Sequence, residues 1–84
     1  MKKKLDRRQY KYEKGAYVRV IKDEEWLAEE GIHVGDIGKI TRISEGFRYK
    51  RADVIFDNDT EIGFFLDENY IRLITYGEKI MNSL

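Results

Sequence analysis

Three glycines stand at close intervals among β-branched residues in the stretch GIHVGDIGKITRI, residues 31–43. A helix makes poor use of this spacing, because glycine favours turns and β-branched residues favour strands. Gly31 is placed to end a helix, and Gly35 with Asp36 to form a turn into a strand. Gly38 interrupts the apolar alternation, which predicts a β-bulge or a close backbone approach. The stretch therefore predicts a small, sharply bent β-structure.

Apolar residues that recur at every second position predict the strands of this structure. The predicted strands cover residues 16–21, 37–43, 52–57, 61–65 and 71–74. Turn-forming residues separate them: SEGFRYKR is a loop or hairpin tip, DNDT is a tight turn, and LDENY is expected to contain one 3₁₀ turn. The pattern predicts a mainly β domain of five short strands.

Two segments outside the strands have helical features. Residues 24–30 are predicted to form a short helix with Asp23 as its N-cap, and Trp26 and Leu27 are its apolar residues. Residues 75–84 place apolar side chains at helical spacing. Ten residues are too few for a stable isolated helix, so this segment is predicted to be a C-terminal tail.

The charges divide the chain further, although the formal net charge is zero. Residues 1–14 contain seven basic and two acidic residues, whereas residues 15–84 contain nine basic and 14 acidic residues. We therefore predict a basic N-terminal arm (1–14), a β-domain (15–74) and the tail (75–84). The arm is either a solvated segment or an electrostatic contact for nucleic acid or an acidic partner.

Catalysis is not expected. His33 is the single histidine and there is no cysteine, so metal-ligand spacing is missing. The two serines lie in no nucleophile motif, and no glycine run has phosphate-loop spacing. We expect no enzyme activity, no metal, no cofactor and no small-molecule substrate. Without cysteine, a signal peptide or a long apolar run, the chain is expected to be soluble and cytoplasmic, with no membrane contact.

Two stretches resemble SH3-like barrels, and together the resemblance covers residues 15–74. GDIGKITRI is similar to the glycine-punctuated core of KOW-type SH3-like domains from transcription and ribosomal proteins. FFLDENYIRLI resembles the end of eukaryotic SH3 domains, where a polar turn ending in Asn-Tyr leads into the last strand. The resemblance implies a five-stranded SH3-like barrel, with a short helix in the first connection and a 3₁₀ turn before the last strand. Small barrels of this kind also resemble bacteriophage or prophage accessory proteins.

The resemblance favours recognition of a protein partner. Tyr70 matches the tyrosine that lines the peptide groove of such SH3 domains, and Asn69 precedes it in the same motif. Trp26 lies on the first connection, which converges with the last turn in this fold; alternatively it packs as a lid over the end of the barrel. The predicted protein-binding residues are Trp26, Tyr70, Asn69 and Tyr17. Such a module is a monomer or a weak homodimer, and its partner could be a host protein modulated by a phage or prophage.

Nucleic-acid binding is the alternative, because basic and aromatic residues alternate in two segments. Its predicted residues are Lys2, Lys3, Lys4, Arg7, Arg8, Phe47, Arg48, Tyr49, Lys50 and Arg51. Against this alternative, the carboxylates of residues 15–84 would repel phosphate elsewhere. The two basic segments could also be solvated surfaces.

Overall fold

Five antiparallel strands form most of the computed structural model, which describes residues 11–83. The elements in chain order are β1 (Tyr17–Val20), α1 (Glu25–Glu29), β2 (Ile37–Glu45), β3 (Lys50–Phe56), β4 (Glu61–Phe65), a 3₁₀ turn (Leu66–Glu68), β5 (Ile71–Ile74) and α2 (Tyr76–Ser83). All five predicted strands are confirmed to within two residues at each end. The 3₁₀ turn before the last strand is confirmed as well.

The strands form one sheet in the order β4-β3-β2-β1-β5, and each neighbouring pair is antiparallel. Strands β2, β3 and β4 follow one another as a meander, and β5 returns to lie beside β1. Among the described residues no ladder joins β4 to β5, so the sheet keeps two open edges. A mainly β fold with two short helices is therefore confirmed, whereas closure into a barrel is not.

One face of the sheet carries the core, because alternate residues of each strand point to the same side. Leu27 of α1 and Ile32 add apolar side chains from the first connection. The buried cluster consists of Val18, Val20, Leu27, Ile32, Ile40, Ala52, Val54, Phe56, Ile62, Phe64, Ile71 and Leu73. The opposite face, which we call the outer face, carries charged and aromatic residues together with Ile37, Ile55 and Ile74.

The glycines of the first connection act largely as their spacing predicts. Gly31 and Gly35 adopt positive φ angles of 81° and 96°, which end the helix and turn the chain into β2. The bulge predicted at Gly38 is wrong, because Gly38 pairs in regular register with both neighbouring strands. The irregularity lies between Ile40 and Arg42, where β2 has one residue more than β3. At Gly38 the structure instead has the close approach that was the other expectation.

Helix α1 is shorter than predicted, and its N-cap is not Asp23. The N-cap is Glu24, which has extended backbone angles and makes no side-chain capping hydrogen bond. Because Asp23 lies one residue too early, its carboxylate is not the cap of this helix. The helix therefore depends on Leu27, which is buried in the core, more than on capping.

The prediction of a tail without helix is wrong for residues 76–83, which form α2. Thr75 and Glu78 form a reciprocal capping box at its start. The Glu78 backbone N–H donates to Thr75 Oγ1 at 3.1 Å, and the Thr75 backbone N–H donates to Glu78 Oε1 at 3.1 Å. The spacing Thr-x-x-Glu in the sequence was the signal for this helix.

Replacing Thr75 by alanine is expected to destabilise α2 by about 1 kcal/mol, since one capping acceptor is lost. Thr75→Ser, which keeps the hydroxyl, serves as the matched control. Amide hydrogen exchange across residues 76–83 measures the effect. Equal exchange rates in Thr75→Ala and Thr75→Ser would contradict a stabilising role for the cap.

Candidate functional site

Trp26 and Tyr70 meet at one end of the sheet, as the sequence predicts. Their ring centroids are 5.7 Å apart in an edge-to-face contact, and both rings also contact buried Phe64, at 6.3 and 6.1 Å. Trp26 nevertheless remains 40% exposed. The indole therefore has a packed side toward the core and an open side toward solvent. We call Trp26 and Tyr70 the aromatic pair.

Backbone and lysine contacts hold Tyr70 in place. The Ile21 backbone N–H donates to the Tyr70 carbonyl at 2.9 Å, which ties the end of β1 to the last turn. Lys22 Nζ donates to the Glu68 carbonyl at 2.7 Å and lies 4.5 Å from the centroid of the Tyr70 ring. Exposed Asn69, with left-handed backbone angles, aims the chain from the 3₁₀ turn toward Tyr70.

The two segments that carry the aromatic pair are acidic. Helix α1 places Glu25 and Glu29 on either side of Trp26 in the sequence, and the 3₁₀ turn before Tyr70 contains Asp67 and Glu68. All four of these acidic residues are exposed. A ligand at this end of the molecule therefore meets two aromatic rings, the Lys22 ammonium at Tyr70, and an excess of carboxylates on the two segments.

Tyr17, the fourth predicted protein-binding residue, lies elsewhere. It is on β1, with Lys79 Nζ 5.2 Å from its ring centroid. It lines an open groove with residues of β2 and β3, including Lys39 and Phe56. The structure thus brings together three of the four predicted residues and assigns Tyr17 to a different surface.

A second group of predicted residues gathers at the β2–β3 end of the outer face. Cross-strand partners share a face, and the register gives two rows: Arg42 with Asp53 and Gly63, and Ser44 with Arg51 and Phe65. The Tyr49 ring contacts the Phe65 ring edge-to-face, with centroids 5.8 Å apart. We use the name basic–aromatic face for Arg42, Tyr49, Arg51 and Phe65 together with the residues of the adjoining hairpin tip, Phe47 and Arg48.

The tip of the hairpin is the most exposed part of this face. Phe47 is 91% exposed, and the Arg48 guanidinium lies 5.2 Å from its ring centroid. Tyr49 and Phe65 are 48% and 41% exposed. Lys50 pairs with Glu45 and alternates to the other side of β3 from Arg51, so it is not part of the face.

Asp53 organises the two arginines of the basic–aromatic face. Asp53 is only 5% exposed. Its carboxylate accepts a hydrogen bond from Arg42 Nε at 2.9 Å and another from Arg51 Nε at 3.0 Å. Burial raises the pKa of Asp53, but hydrogen bonds and charge from Arg51 and Arg42 outweigh it, so the pKa lies below its ordinary value. Both guanidiniums stay partly exposed, so they are fixed at one end and open to a ligand at the other.

Gly63 makes room for this arrangement. A Cβ atom there would collide with the Arg51 guanidinium, which would have to move away from its present position. The guanidinium of Arg51 therefore lies directly over the backbone of β4, between Asp53 and Phe65.

Four residues of these surfaces were missed in the sequence: Lys22, Arg42, Asp53 and Phe65. Asp53 had a signal, since a carboxylate within the apolar run of a strand needs a partner. Phe65 had one too, because Phe64 and Phe65 are adjacent in a strand and must point to opposite faces. The predicted arm residues Lys2, Lys3, Lys4, Arg7 and Arg8 lie outside the described residues.

No family model matches the chain, and neither the curated proteins nor the solved structures yielded a match. Within the described part of the chain, no helix is long and apolar enough to cross a membrane. Residues 11–83 also hold no group of three or more histidine, cysteine or acidic side chains placed to bind a metal ion.

Proposed function

We propose that this chain is a non-enzymatic, intracellular binding module that recognises a protein partner through the aromatic pair. The observation that carries the proposal is the 5.7 Å contact between Trp26 and Tyr70 at a place where the indole stays exposed. Trp and Tyr are the residues that most often dominate interface energies, because they bury much apolar area at little entropic cost.

An SH3-like barrel is the fold we propose for this module. Its support is the return of β5 to lie antiparallel to β1 after a three-strand meander, with a 3₁₀ turn before β5. The family resemblance adds the setting we propose, a phage- or prophage-encoded protein that modulates a host protein.

The acidic residues on the segments that carry the aromatic pair favour one kind of partner. Exposed Glu25, Glu29, Asp67 and Glu68 lie on the segments that carry the two rings. A complementary partner surface presents apolar side chains for the rings and Lys or Arg for the carboxylates. Opposite charges would raise the association rate, and contacts with the rings would set the lifetime of the complex.

Affinity capture followed by titration tests this function. The full chain is immobilised, incubated with nuclease-treated host lysate, and the recovered protein is purified. Binding of that protein to the soluble chain is then followed through the fluorescence of Trp26, the single tryptophan. For Tyr70→Ala we expect a dissociation constant at least about tenfold higher than wild type, and the same for Trp26→Ala measured by calorimetry.

Phe47→Ala is the matched control, since it removes an exposed aromatic ring from a different surface. It should leave binding of the partner unchanged. Circular dichroism establishes that each variant is folded. The proposal would be abandoned if folded Trp26→Ala and Tyr70→Ala both bound the recovered partner as tightly as wild type.

A further inference from the structure

We propose a second binding site, separate from the aromatic pair: the basic–aromatic face binds single-stranded nucleic acid. This inference does not rest on the proposed protein-binding function. It rests on the strand register, which assembles Arg42, Arg51 and Phe65 beside the hairpin tip. These three residues come from three different strands, so no single segment of the sequence shows them together.

The aromatic rings of this face suit unpaired bases. Phe47 is almost fully exposed, although burial of so large an apolar ring would favour folding. Tyr49, two residues after Phe47 in the sequence, forms a second, partly exposed aromatic surface with Phe65. Stacking on such rings requires bases that are not paired in a duplex, because the faces of paired bases are already covered by their neighbours.

The arginines of this face suit a phosphate backbone. Asp53 holds Arg42 through Nε and Nη2 and Arg51 through Nε, which fixes both side chains before any ligand arrives. Their ordering cost is therefore met in the free protein, and exposed N–H groups remain for phosphate oxygens. Arg48 adds a third guanidinium at Phe47, so three arginines oppose one buried carboxylate.

Location separates this face from the acidic end of the molecule. The inward-pointing Phe64 contacts the aromatic pair, whereas the neighbouring Phe65 points outward to Tyr49. A strand bound along the basic–aromatic face would thus lie on the opposite side of β4 from the aromatic pair. The basic residues of the arm could extend the contact but are not needed to define it.

Fluorescence anisotropy with the full chain tests the site. The probes are fluorescein-labelled 15-mers of deoxythymidine and of uridine, which separate DNA from RNA, and a labelled 15-base-pair duplex. Binding of either single strand, tighter than that of the duplex, is expected. Phe47→Ala should weaken single-strand binding about tenfold, the loss of one stacked base. Arg48→Gln should lower the slope of log K against log salt by about 0.7, the loss of one phosphate contact.

Two controls keep the outcome readable. Lys39→Gln removes an exposed positive charge near the start of β2, at the end of that strand away from the hairpin, and should leave binding near wild type. Trp26→Ala should do the same, so failure of this site and failure of the aromatic pair remain distinguishable. Substitution of Lys2, Lys3 and Lys4 by glutamine measures the share contributed by the arm.

Several results would overturn the proposal. If Phe47→Ala bound the single strands as tightly as Lys39→Gln, stacking on Phe47 would be disproved. A preference for the duplex would contradict recognition of unpaired bases. Competition by polyglutamate as strong as by the single strand would indicate an acidic protein ligand instead. Loss of binding in the lysine-to-glutamine arm variant, with no effect of Phe47→Ala, would assign binding to the arm alone.

Discussion

A valine in place of Gly38 is expected to lower the free energy of unfolding by about 3 kcal/mol, at the upper end for overpacked core positions. Gly38 lies in the middle strand of the sheet, and a Cβ atom there would collide with Val54 Cγ1 and lie 2.9 Å from the Ile55 carbonyl oxygen. A side chain can rotate away from a new neighbour, but the backbone carbonyl of a paired strand cannot. The strands would have to separate locally, at the cost of ladder hydrogen bonds.

Urea unfolding, followed by Trp26 fluorescence, measures this effect. Gly38→Ala should be destabilising as well, by a smaller amount. Gly77→Ala is the opposite control, since a Cβ atom there meets only Thr75 Oγ1 at an ordinary 3.6 Å. Because alanine is the better helix former, Gly77→Ala should be neutral or stabilising by up to about 1 kcal/mol. Wild-type stability of Gly38→Val would disprove the close approach of β2 and β3 at this position.

Replacing Asp53 by asparagine is expected to destabilise the protein by about 2 kcal/mol at neutral pH. Each carboxylate oxygen accepts from a different arginine, Oδ1 from Arg51 and Oδ2 from Arg42. Asparagine offers one oxygen and one NH₂ group, so one guanidinium would face a donor. The loss is below that of a fully buried pair, because both arginines can turn toward water.

The difference in the free energy of unfolding between wild type and Asp53→Asn should depend on pH. The pKa of folded Asp53 lies below its ordinary value of 3.8, so the charged form stabilises the fold above about pH 4. That stability is lost as the pH falls through the folded-state pKa, and the two proteins should then converge. Asp57→Asn, at an exposed position just beyond β3, is the matched control and should track wild type. A difference that stays constant down to pH 2 would contradict the ion-pair explanation.

The strands were predictable because alternation is a local property. Val18 and Val20, for example, reveal their face without any knowledge of the neighbouring strand. The bulge after Ile40 was not predictable, since a bulge is defined by two strands together and only one of them is visible at that position in the sequence. Asp53 has one partner, Arg51, in its own strand, but its second partner, Arg42, is set by the register of β2 and β3.

The same distinction between local pattern and strand register applies to the residues of the two candidate surfaces. Trp26 and Tyr70 were predicted to converge because the resemblance supplied a topology, and their contact agrees with it. Phe47 and Tyr49 were predicted because they alternate with basic residues in the run 47–51. Arg42 and Phe65 come from other strands, so a reading by segments assigned them no part in binding.

The adjacency of Phe64 and Phe65 constrains the length of the turn that precedes β4. One residue belongs to the aromatic pair's surroundings and the other to the basic–aromatic face. If one residue were removed from the turn at 57–60 while β4 stayed hydrogen-bonded to β3, every residue of β4 would shift by one position. Phe64 and Phe65 would then exchange faces of the sheet, which would damage both surfaces. An added residue at 46–49 would alter the hairpin tip, and with it the Phe47 and Arg48 part of the basic–aromatic face, but would leave the aromatic pair in place. A change of length at 57–60 therefore affects both candidate surfaces, whereas a change at 46–49 affects only one of them.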